Sequence, residues 1–80
     1  MKKPAQTIEI APYTVGVDPL PQVRRSHVVV RDEASVEVAR ANYDHFLKRY
    51  DGIRISVKKF EYISDIQTVL TEVAKILDQQ

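Results

Sequence analysis

The sequence predicts a two-layer α+β sandwich in the order β-(β)-β-α-β-α, with three or four strands in a mixed sheet and both helices on one face. Three observations support this fold class: a run of three valines, a strand-like alternation of polar and apolar residues, and two segments with helical spacing of apolar residues. The 80 residues form one domain. Residues 24–80 are predicted to be its βαβα core.

The N-terminal third contains most of the prolines. Pro12, Pro19 and Pro21 all lie between residues 12 and 21, which excludes a long helix there. Residues 1–23 are therefore predicted to form either an extended arm or an edge hairpin of the sheet. An arm this apolar would add a strand to a partner or to a second copy. The candidate partner contacts are Ile8, Ile10, Tyr13 and Val15.

The core is predicted to begin with a strand at residues 24–31. Its three consecutive valines, Val28 to Val30, favour burial on both faces and a central place in the sheet. Asp32 is suited to cap a helix that follows. That helix is predicted over residues 33–50, with Gly52 after its end. Its predicted apolar stripe comprises Val36, Ala39, Tyr43, Phe46, Leu47 and Tyr50.

The second half of the core is predicted to be a strand followed by a helix. Residues 53–60 alternate, with Ile53, Ile55 and Val57 on one side. The strand–helix–strand order predicts parallel pairing with a right-handed crossover. The last helix is predicted over residues 64–77. Its stripe is complete: Ile66, Val69, Leu70, Val73, Ile76 and Leu77.

The sequence contains few residues of the types that catalytic sites require. There is no cysteine, and the two glycines lie too far apart for a phosphate-binding loop. His27 and His45 fall on different predicted elements, which disfavours a metal site. Ser26 and His27 are strand neighbours that face opposite sides, so they cannot form a nucleophile–base pair. We therefore predict no catalytic residue, no cofactor and no metal, and we do not expect an enzyme.

One group of charges suggests a binding surface. The net charge is only +1, but basic residues recur on two strands that are predicted to be neighbours. An open, basic sheet face with nearby aromatic residues can follow a phosphate backbone and stack bases. The candidate nucleic-acid or anion-binding residues are Arg24, Arg25, Arg54, Lys58 and Lys59.

These observations favour a small non-catalytic interaction protein, that is, a regulator, inhibitor or complex subunit that binds another macromolecule. Its expected partner is a protein or a second copy of the chain. An RNA- or DNA-binding module that uses the basic sheet face is the alternative. No run of about 18 apolar residues exists, so no membrane partner is expected. With no cysteine and no apolar stretch behind its first residues, the chain is expected to be cytoplasmic.

Overall fold

A computed structural model describes residues 5–56 and 63–79. Five strands are followed by one helix. A single 3-10 turn, Pro21–Val23, connects the second and third strands. The elements are β1 (Gln6–Ile10), β2 (Tyr13–Leu20), β3 (Arg25–Arg31), β4 (Glu37–Asp44), β5 (Arg49–Ile55) and α1 (Ile63–Asp78).

The strands form one meander in the order β1-β2-β3-β4-β5, and every neighbouring pair is antiparallel. The predicted two-helix sandwich on a mixed sheet of three or four strands is therefore wrong. The described residues contain five antiparallel strands and one C-terminal α-helix. The predicted parallel pairing is wrong as well, because β4 lies between β3 and β5.

The error arises at residues 33–50, where we predicted a helix. This segment instead forms β4, a tight turn and the start of β5. The spacing of the apolar residues explains the misassignment, because residues four apart, such as Ala39 and Tyr43, share a face in both a helix and a strand. The residue midway between them, Ala41, distinguishes a strand from a helix. Ala41 is buried beside them, while Arg40 and Asn42 face the other side, which is the period of a strand.

The core lies between α1 and one face of the sheet. Cross-strand neighbours on that face are Val15, Val30 and Ala39 in one row and Val17, Val28 and Ala41 in the next. The helix covers them with its own apolar stripe, whose predicted position was close to that observed. The buried residues of α1 are Ile66, Val69, Leu70, Val73 and Leu77.

Two tyrosines also fasten α1 to the sheet. The Tyr43 hydroxyl donates a hydrogen bond to Asp78 Oδ1 at 2.6 Å, and the Tyr50 hydroxyl donates one to the carbonyl oxygen of Leu70 at 2.5 Å. Burial, assisted by the neighbouring Asp78 carboxylate, raises the pKa of Tyr43 to about 12. Both hydroxyls therefore remain protonated donors at neutral pH, which keeps the helix in place.

The opposite face of the sheet has no helix against it in the described part of the chain. Val29 lies on this open face between Gly16 and Arg40, and it is only half-buried. The expectation that all three valines are buried is therefore wrong, since Val28 and Val30 alone are fully buried. In residues 5–56 and 63–79, no helix is long and apolar enough to cross a membrane.

The N-terminal third lies in the sheet as the hairpin β1–β2, with β1 at the edge. Three of the four candidate partner contacts, Ile8, Tyr13 and Val15, are buried in the core, and Ile10 packs partly against it. A partner could reach these side chains only if the hairpin left the sheet. Their role in partner binding stays a prediction.

Candidate functional site

Three of the five predicted basic residues fall within the described part of the chain. Arg24 and Arg25 lie at one end of the sheet, where β3 begins, whereas Arg54 lies on the open face opposite Arg40. Lys58 and Lys59 fall outside the described residues. The strands that carry Arg25 and Arg54, β3 and β5, are not neighbours as predicted, because β4 lies between them.

Two connections meet at the end of the sheet that carries Arg24 and Arg25. We call this surface the basic tip and define it as residues 20–25 and 44–49, the β2–β3 and β4–β5 connections with their flanking residues. The His45 amide donates to the carbonyl oxygen of Arg24 at 3.0 Å, and Arg25 pairs with Asp44 in the β3–β4 ladder. Segments about twenty residues apart in sequence thereby form one surface.

Asp44 organises the β4–β5 turn. Its Oδ1 accepts hydrogen bonds from the amides of Phe46 and Leu47 at 2.9 and 3.0 Å. This is the local pattern by which aspartate stabilises tight turns. Lys48 then adopts a left-handed conformation with φ 54°, as Arg24 does with φ 52°. Such backbone costs roughly 1–2 kcal/mol for a side chain other than glycine, so the surrounding contacts must maintain both conformations.

The turn makes stability depend on the charge of Asp44. Hydrogen bonds from the backbone amides of Leu47 and Phe46, together with the Arg25 guanidinium, hold the pKa of Asp44 below its ordinary value. A lowered folded-state pKa stabilises the fold above the unfolded pKa of about 3.9, and this stabilisation is lost as pH falls through the folded value.

We predict that Asp44→Asn flattens the acid dependence of stability. Urea midpoints of the wild type should fall more steeply below about pH 4 than those of the variant, because asparagine keeps an acceptor oxygen but does not titrate. Glu37 also has a pKa below its ordinary value, because of its hydrogen bond to Arg40. The variant Glu37→Gln therefore measures how much of the acid dependence this second carboxyl contributes. Equal acid slopes in the wild type and Asp44→Asn would contradict the role of Asp44.

Positive charge is concentrated at the basic tip. Its 12 residues contain four cations, Arg24, Arg25, Lys48 and Arg49, against the single carboxylate of Asp44, a net charge of +3. The whole chain has a net charge of +1, so the other 68 residues have a net charge of −2. Arg24, Lys48 and Arg49 form no ion pair within the described residues. The basic tip is therefore much more positive than the chain as a whole.

Apolar side chains are exposed on the same surface. The Phe46 side chain, at the turn between β4 and β5, is 74% exposed. It takes part in no aromatic pair among the described residues, although the nearby Tyr43 contacts both His45 and Tyr50 edge to face. The other exposed apolar residues of the basic tip are Leu20, Val23 and Leu47.

A polar cleft lies beside this turn. It has a volume of about 260 Å³. Arg25 crosses it, with its guanidinium 3.8 Å from an Asp44 carboxylate oxygen and 3.5 Å from one of Asp51. The cleft thus offers both hydrogen-bond donors and acceptors. It is lined by Arg25, Asp44, Leu47, Arg49, Tyr50 and Asp51.

One polar pair in this region is not predictable from the sequence. Ser26 Oγ lies 2.7 Å from His45 Nε2, a hydrogen bond between neighbouring strand segments. Ser26 is only 3% exposed, so the pair satisfies buried polar groups and presents no accessible nucleophile. No local sequence signal reveals it, because the two residues meet only through the β3–β4 register.

Metal ligands are not assembled in the described ranges, 5–56 and 63–79, where no group of three or more His, Cys, Asp or Glu side chains could hold an ion. Comparisons with protein-family models, with curated proteins and with solved structures find no match. A proposed function must therefore rest on the residues of the basic tip.

Proposed function

We propose that this protein is a small, non-catalytic binding protein whose basic tip docks onto an anionic macromolecule. The observation that supports it best is the separation of charge: a net charge of +3 on 12 residues of a chain whose remainder has a net charge of −2. Such a field attracts and orients an anionic partner during encounter. Arg24, Lys48 and Arg49, which form no ion pair within residues 5–56 and 63–79, are available to contact it.

The exposed side chains support a macromolecular partner. Aromatic and arginine side chains are the residues most enriched at binding hot spots, and Phe46 lies among three arginines and a lysine. The cleft beside it, at about 260 Å³, lies below the roughly 300–1,000 Å³ typical of small-molecule sites. A partner that covers the surface fits these dimensions better than a small substrate does.

The test is retention of the purified protein on a heparin column. We expect the wild type to bind at about 0.1 M NaCl, where charges are screened over about 10 Å. The double variant Arg24→Gly with Lys48→Gly should elute at much lower salt. Glycine tolerates the left-handed backbone at both positions, so the charges are removed without a cost in folding.

A matched control removes two cations elsewhere. Arg31→Gln with Lys75→Gln lowers the net charge by the same amount but leaves the basic tip intact, and it should elute as the wild type does. Equal elution of both double variants would show that binding follows net charge rather than the basic tip. A wild type that flows through the column would contradict the proposal.

A further inference from the structure

Resting on this proposed function, we propose that the anionic partner is a single-stranded nucleic acid, with one base stacked on Phe46 and the adjacent phosphates contacted by Arg24, Lys48 and Arg49. Three features of the basic tip support this identity: an exposed aromatic ring on a hydrogen-bonded turn, cations on both connections that have no ion pair in the described part of the chain, and a cleft with mixed hydrogen-bonding character.

The turn holds the backbone that carries the Phe46 ring. The hydrogen bonds from the amides of Phe46 and Leu47 to Asp44 hold the backbone on both sides of the ring. With 74% of the side chain in water, an apolar ring of this size has area to gain from a flat partner. Every nucleobase offers such a face when it is unpaired, and stacking is insensitive to base identity.

Cations lie on both connections of the basic tip, next to Phe46 in the sequence or across from it in the fold. Lys48 and Arg49 follow Phe46 by two and three residues on one connection, and Arg24 lies on the other. The hydrogen bond from the His45 amide to the Arg24 carbonyl joins the two connections. A strand that passes over Phe46 therefore meets positive charge on both sides of the stacked base.

The cleft distinguishes a nucleic acid from an anionic membrane. Its Arg25 and Arg49 can donate hydrogen bonds, while Asp44 and Asp51 can accept them. Base edges present both donors and acceptors, so they match this lining. A phospholipid surface offers anionic acceptors, and pressing two carboxylates against it is unfavourable. A base pair inside a duplex could not stack on Phe46, which favours a single strand.

The experiment measures fluorescence anisotropy of a labelled 12-nucleotide oligothymidylate and of an abasic oligonucleotide of the same length. Both have the same phosphates, but only the first has bases. We expect the wild type to bind oligothymidylate about tenfold more tightly, since stacking of one base on an aromatic ring contributes about 1–3 kcal/mol. Phe46→Ala should abolish this preference, and Phe46→Trp should keep it.

Two further variants complete the design. Val36→Ala removes an exposed apolar side chain from the β3–β4 connection, outside the basic tip and its cleft, and should bind within about twofold of the wild type. Arg24→Gly with Lys48→Gly should reduce the slope of log affinity against log salt by about 1.4, because each phosphate contact on a single strand contributes about 0.7. Vesicles of phosphatidylserine and phosphatidylcholine provide the membrane comparison.

The outcomes separate this inference from the proposed function. Equal affinity for the two oligonucleotides, or an unchanged preference in Phe46→Ala, overturns the stacking role. Binding to the anionic vesicles without binding to oligothymidylate overturns the nucleic-acid assignment. In either case retention on heparin would leave the proposed function intact. Loss of heparin retention and oligonucleotide binding together would overturn both.

Discussion

Val28→Asp is expected to leave the purified chain unfolded at room temperature, whereas Val29→Asp, one residue along, is expected to leave it folded. Val28 is fully buried beneath α1, so an aspartate there places an unpaired carboxylate in the core. An uncompensated buried charge costs about 3–5 kcal/mol, and the lost burial of the valine side chain costs about 1.5–3 kcal/mol more. An 80-residue domain has only about 4–12 kcal/mol of total stability.

The adjacent valine provides the matched control. Val29 lies on the open face, where its cross-strand neighbours are Gly16 and Arg40. An aspartate opposite Arg40 remains hydrated, and its cost should stay within about 1 kcal/mol. Circular dichroism and urea denaturation of the two variants measure the difference. An unfolded Val29→Asp, or a folded Val28→Asp, would contradict the register of β3.

Deletion of residues 1–22 is expected to unfold the rest of the chain. The deletion removes β1 and β2, and with them the core side chains Ile8, Tyr13, Val15 and Val17. Full burial of one such side chain contributes about 1.5–3 kcal/mol, so the combined loss of about 6–12 kcal/mol is as large as the whole stability of a domain of this size. The deletion would also leave β3 as an unprotected edge strand, because its pairing partner β2 is removed.

Nuclear magnetic resonance spectra of the fragment 23–80 test this expectation. Collapsed amide dispersion is expected for the fragment, and native dispersion for the control Glu9→Gln, which alters an exposed residue of β1 and leaves the hairpin in place. A folded fragment would restore the alternative that the N-terminal third is a separable arm. It would also make Ile8, Ile10, Tyr13 and Val15 available for the partner contact that the sequence predicted.

The parts of the fold that were predictable have local causes. For α1, predicted at 64–77 and observed at Ile63–Asp78, the apolar residues recur at three- and four-residue steps over four turns. No strand pattern fits that spacing. The strand at Arg25–Arg31 is likewise close to its predicted range, because a run of β-branched residues favours extended structure whatever its neighbours are.

Residues 37–44 show where local patterns become ambiguous. Ala39 and Tyr43 fit both periods, and alanine favours a helix. This segment forms a strand because it is paired on both edges: β3 pairs along one edge of β4, and β5 pairs along the other. The backbone hydrogen bonds of both ladders outweigh a helix propensity of a few tenths of a kcal/mol per residue.

The candidate site also combines residues that the sequence predicts with residues that only strand pairing brings together. Arg24 and Arg25 were selected from the sequence for their charge, but Phe46, Lys48 and Arg49 were placed in a helix, and the Ser26–His45 hydrogen bond was not foreseen. These residues join one surface only because β3 and β4 are paired so that Arg25 lies opposite Asp44. No spacing along the chain encodes a contact between residues about twenty positions apart.

The sequence by itself determined the C-terminal helix, the valine strand, the absence of cysteine chemistry and the small net charge. Each depends on composition or on residues within one or two turns of one another. The tertiary structure alone decided the antiparallel meander, the side of the sheet that each valine faces, and the gathering of four cations and Phe46 at the basic tip. Those features depend on long-range strand pairing, whose free energy is shared between segments and is not present in either segment alone.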